Sequence, residues 1–79
     1  MTILERYSQE KLWFKKVLLM EVYHLSKVHA DKDWTLGETA KDFGCSIGLV
    51  SENLKLARAI QVNEKIMNLP TRTIALRKI

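Results

Sequence analysis

A chain of 79 residues with 47% hydrophobic and 28% charged content reads as one small globular domain, 1–79, rather than a disordered chain. Its single cysteine excludes an internal disulfide framework, and no apolar run approaches the length of a membrane span, so a cytoplasmic protein with no membrane partner is expected. The net charge of +4 is lopsided: residues 1–54 hold seven Lys/Arg and eight Asp/Glu, whereas residues 55–79 hold six Lys/Arg against Glu64 alone. Such a basic end suits a polyanionic partner.

The opening segment MTILERYSQEK has no basic stretch followed by an apolar one, so no signal peptide is expected. Met1–Tyr7 reads as a short arm, and Ser8 as the cap of a long helix over 8–30. The apolar residues of this helix form two stripes. Phe14, Val17, Leu18, Val22, Leu25 and Val28 are expected to cover the rest of the domain. Leu12, Trp13, Leu19, Met20 and Tyr23 are left over, and make a candidate homodimer interface, since a core this small often gains from oligomerisation. Packing of this second stripe on the C-terminal segment is the competing expectation. His29–Trp34 (HADKDW) is a linker, with Trp34 anchoring it to the core.

Thr35 to Leu54, TLGETAKDFGCSIGLVSENL, predicts two short helices joined by a tight turn. Thr35 and Glu38 stand at capping-box spacing. Gly44 sits where the first helix must end at a positive φ, and Cys45 is small enough to be buried in the turn. Ser46 caps a second helix whose inward residues are expected to be Leu49, Val50 and Leu54. With Ala40 four residues before Gly44 and Val50 six after it, the segment resembles a helix-turn-helix unit. That unit commonly places its second helix in the DNA major groove. The continuation SENLKLARAI, with Leu54, Leu56, Ala57 and Arg58, resembles the corresponding segment of ParB-type partition proteins and of small phage and plasmid regulators, over residues 35–60. Only the DNA-binding part of that resemblance carries over.

The second helix is expected to run to about Ile60. Asn63 then caps a short helix, NEKIMN, and Pro70 opens a last helical turn in a basic tail, 61–79. No Asn-Gly or Asp-Gly signal follows Leu54, so no β-wing is expected. The fold class is therefore all-α: four to five helices around a central helix-turn-helix.

The expected DNA-facing residues follow from that arrangement. Ser46 and Ser51 can donate to phosphates or base edges, and Gly48 permits close backbone approach. Ile47 can touch a thymine methyl, and Glu52 can accept from a cytosine N4 amine. Lys41, Lys55 and Arg58 are phosphate candidates, with Arg72, Arg77 and Lys78 from the tail and Thr35 at the start of the first helix. His24 and His29 are five apart, off the spacing that puts two ligands on one helix face, so no metal site is expected. His24 reads as a partly exposed helix residue. HADKD lacks the glycine and distal glutamate of a calcium loop. Cys45 has no assignable base, and no phosphate loop or Ser/His/Asp arrangement is present, so neither an enzyme nor a cofactor is expected. The leading expectation is a small transcriptional or replication regulator on double-stranded DNA. The alternative is a protein-interaction module inside a nucleoprotein assembly, such as a packaging or partition accessory. It draws on a second helix that has no Arg, Gln or Asn at its outer tip and that carries Glu52.

Overall fold

The computed structural model describes residues 13–79, and these are all-α, with no strand among the described residues. Helix α1 spans Trp13–Ala30, α2 Leu36–Phe43 and α3 Ile47–Val62; a 3-10 helix, Glu64–Asn68, leads to α4, Arg72–Lys78. The expected arm, the Ser8 cap and Leu12 lie outside the described residues. Helices α1 and α3 are the principal packed pair. Helix α2 closes one end of it, and the 3-10 helix and α4 close the other.

Local sequence accounts for the boundaries. The Thr35 side chain accepts the Glu38 N–H at 3.2 Å, satisfying a donor that the start of α2 would otherwise leave open. Gly44 ends α2 in the left-handed region, φ 73° and ψ 38°. There the Cys45 N–H reaches the Ala40 carbonyl at 3.0 Å and the Gly44 N–H reaches Lys41 at 3.2 Å. This is the double closure of a Schellman turn, with Ala40 and Cys45 packed into the same cluster beneath it. Ser46 accepts the Leu49 N–H at 3.1 Å, so α3 starts at Ile47, three residues after Gly44. Asn63 and Thr71 cap the 3-10 helix and α4 in the same way.

Two apolar clusters form the core. Met20, Ala40, Phe43 and Val50 make one beside the turn. Trp13, Val17, Leu56, Ala57, Ile60 and Ala75 make the other beneath the C-terminal elements. The expectations for the faces of α1 hold only in part: Val17 is buried with Phe14 and Leu18 packed beside it, and Trp13 packs on the C-terminal segment, as the competing expectation had it. The proposed association stripe turns inward: Met20 is fully buried, Trp13 is buried with its indole N–H donating to the Leu69 carbonyl at 2.7 Å, and Leu19 and Tyr23 pack on the turn cluster. Within the stripe expected to face the core, Val22 and Leu25 point outward, 65% and 56% exposed. The physical reason lies in Glu21 and His24, which disguise the buried side as polar. Gln61 donates to the Glu21 carboxylate at 2.6 Å, and His24 Nδ1 lies 2.7 Å from the Thr39 hydroxyl, so both polar groups are satisfied inside. His24 is accordingly buried rather than partly exposed.

The linker is tied down as expected of Trp34, whose indole N–H donates to Thr39 Oγ1 at 2.7 Å. The Lys27 ammonium sits 5.4 Å from the ring centroids of both Tyr23 and Trp34, within cation–π range. Among the described residues no helix is long and apolar enough to cross a membrane.

Candidate functional site

Helix α3 buries Val50, Asn53, Leu56, Ala57 and Ile60. That inner face is rotated from the expected one: Leu49 and Leu54 are only half-buried, and Asn53 takes an inward place between them. Ile47, Gly48, Ser51, Lys55 and Arg58 are all exposed. At 3.6 residues per turn these five fall within a sector of about 100°. Glu52, also exposed, lies beyond Gly48 on the side facing α4. The start of this sector is held rigidly, because Ser46 caps α3 and the Gly44 turn sets its direction from α2. Gly48 leaves the backbone of the first turn uncovered: a Cβ there would meet only Ser46 Oγ, 3.9 Å away. Thr35 and Lys41 are exposed on α2, Thr35 as its cap and Lys41 near its last turn.

The tail residues do not gather with this sector as one basic patch. Arg72 Nε donates to the buried Asn53 Oδ1 at 2.5 Å, and Arg72 Nη2 donates to Glu52 Oε1 at 3.2 Å. Its charge is thus already paired with Glu52, and it ties α4 to α3. Lys78 lines a recess with Asn63, Lys65, Ile66 and Leu69 at the other end of α3. Arg77 is exposed in the last turn of α4. Along α3, Glu52, Lys55 and Ala59 border a groove closed by Leu76 and Ile79, while Leu54, Arg58 and Gln61 border one shared with α1. Lys55 and Arg58 therefore stand within the exposed sector, each bordering a different groove.

Asn53 was missed by the sequence reading, though its spacing carries a signal. It lies three after Val50 and four before Ala57, an inward helical register held by a polar residue. Its side-chain amide donates to Met20 Sδ at 3.4 Å while its carbonyl holds Arg72, so one buried amide joins α1, α3 and α4. Among the described residues no buried side-chain polar atom lacks a partner. Cys45 is half-buried in the turn; burial pushes its thiol pKa up, and the Arg72 guanidinium partly opposes that shift. A protonated thiol is a poor nucleophile, which fits a packing role. No cluster of three or more His, Cys, Asp or Glu suited to a metal ion occurs among the described residues. Comparison of the chain with protein-family models, curated proteins and solved structures returns no match.

Proposed function

We propose that this protein binds double-stranded DNA by laying the N-terminal half of α3 in the major groove, and that it works in the cytoplasm as a small transcriptional or replication regulator. The observation that carries the reading is the exposed sector of α3. It combines a capped helix start set by the Gly44 turn, a glycine that allows close approach, two serines that can donate, and two cations, Lys55 and Arg58. Ser46 and Ser51 face phosphates or base edges, Ile47 a thymine methyl, and Lys41 the backbone beside α2.

Binding to random and selected duplexes over a salt series tests this. Lys55→Ala and Arg58→Ala should each weaken binding to every sequence and lower the salt slope by about one. Unchanged affinity and slope in both variants would remove α3 from the phosphates. The exposed Val22 and Leu25 on α1 favour a second reading in that event: docking to a protein, a further copy of this chain included. Val22→Asp with Leu25→Asp would then abolish the association in sedimentation.

A further inference from the structure

We infer that Arg72 is a positioning residue for base readout by Glu52, holding that carboxylate so that its second oxygen accepts from a cytosine N4 amine. The inference rests on α3 lying in the major groove. Its basis is a relay running outward from the core. Asn53, 1% exposed, is fixed between Met20 and Arg72. The Arg72 side chain, 25% exposed, is held at Nε by Asn53, and its outer nitrogen Nη2 reaches Oε1 of Glu52, whose side chain is 52% exposed. Among the described residues, Glu52 Oε2 has no bonded partner, and Glu52 lies just beyond the Gly48 edge of the exposed sector, on the side facing α4.

Two physical consequences follow. An unpaired carboxylate at a DNA surface is repelled by phosphate, and the guanidinium offsets that charge locally. A long acidic side chain also loses rotamer freedom when it reads a base, and Arg72 removes part of that loss in advance. The chemistry selected is an amine donor on a base edge, which in the major groove belongs to cytosine N4 or adenine N6. Cytosine is the usual partner of a carboxylate acceptor.

The test compares the wild type with Glu52→Gln, Arg72→Gln and the double variant on duplexes randomised one position at a time, with helicity checked by circular dichroism. The wild type should prefer C·G at one position by about tenfold. Either single variant should abolish that preference, and adding Arg72→Gln to Glu52→Gln should change base preference no further. Arg72→Lys keeps the charge but lacks the planar fork that sets Nε on Asn53 and Nη2 on Glu52, so it should also lose the preference while keeping affinity for random duplex. Its result decides the matter where Arg72→Gln fails to fold. A preference that survives both Arg72 variants overturns the inference and leaves DNA binding standing, as does a wild type with no Glu52-dependent base preference. A wild type that binds no duplex overturns both.

Discussion

The two buried clusters lie on the same pair of helices, yet they are built from different chemistry. Beside the turn, Met20, Ala40, Phe43 and Val50 are framed by directional bonds: Trp34 and His24 meet at the Thr39 hydroxyl, Tyr23 donates to Asp42, and Asn53 donates to Met20. The Tyr23 ring also stands edge-on to Phe43, centroids 5.1 Å apart. Beneath the C-terminal elements, Val17, Leu56, Ala57, Ile60 and Ala75 meet mainly by volume, with Trp13 bonded once to a carbonyl. Apolar burial is non-directional, whereas hydrogen bonds fix angles. The turn cluster therefore sets where the exposed start of α3 points, and the C-terminal cluster supplies bulk. Arg72 and Asn53 link the two.

Breaking the contrast begins with volume. Phe43→Ala empties a fully buried ring site and should cost about 3–5 kcal/mol, against about 2–5 for Leu56→Ala in the other cluster. Because α1 and α3 run through both clusters, denaturant unfolding of either variant should stay a single transition. Two separated transitions would show that the clusters fold independently.

Directional chemistry is the next step down. Thr39→Val keeps the shape but leaves the Trp34 indole N–H and His24 Nδ1 without their shared partner, at a cost of about 1–3 kcal/mol. The linker should loosen with it, seen as a red shift of tryptophan emission. A wild-type melting curve would mean that the hydroxyl only fills space.

Gly48→Ala separates stability from function. The position is open, and alanine in a helix gains about 0.5–1 kcal/mol over glycine, so the melting temperature should rise. The added methyl stands on the exposed sector, so duplex affinity should fall. A rise in both would take the backbone of this turn out of the interface.

The smallest effect lies at Tyr23. Its hydrogen bond to Asp42, then partial burial, then the nearby negative charge raise the phenol pKa above its ordinary 10. The folded state thus favours the neutral phenol. Its contribution is complete below the ordinary tyrosine pKa and is lost as pH climbs through the raised one. Phenolate absorbance should report Tyr23 ionising late, and Asp42→Asn should bring it back toward the ordinary range. An unchanged titration in that variant would leave burial as the cause.

Much of the frame was legible because it depends on neighbours in the chain. The Thr35 and Ser46 caps, the left-handed Gly44, the Asn63 start and the break at Pro70 are all short-range chemistry, and the helices lie where these residues place them. The faces of α1 were legible only in part. Apolar residues occur nearly all around that helix, and polar side chains such as Glu21 and His24 by themselves mark the side to leave exposed. Gln61 and Thr39 reverse that choice, and they stand 40 and 15 residues away in the chain.

The exposed sector of α3 divides along the same line. Sequence alone determined that a capped helix begins after Ser46 and carries Ile47, Gly48, Ser51 and Glu52 in its first turns, since capping and turn geometry act within a few residues. Only the tertiary structure decided that Asn53 turns inward, that Arg72 is paired with Glu52 and Asn53, and that Lys78 lies at the far end of α3. Those outcomes depend on how α4 docks on α3. That docking is set by the burial of Ala75 and by bonds spanning 19 and 20 residues, which no local pattern encodes.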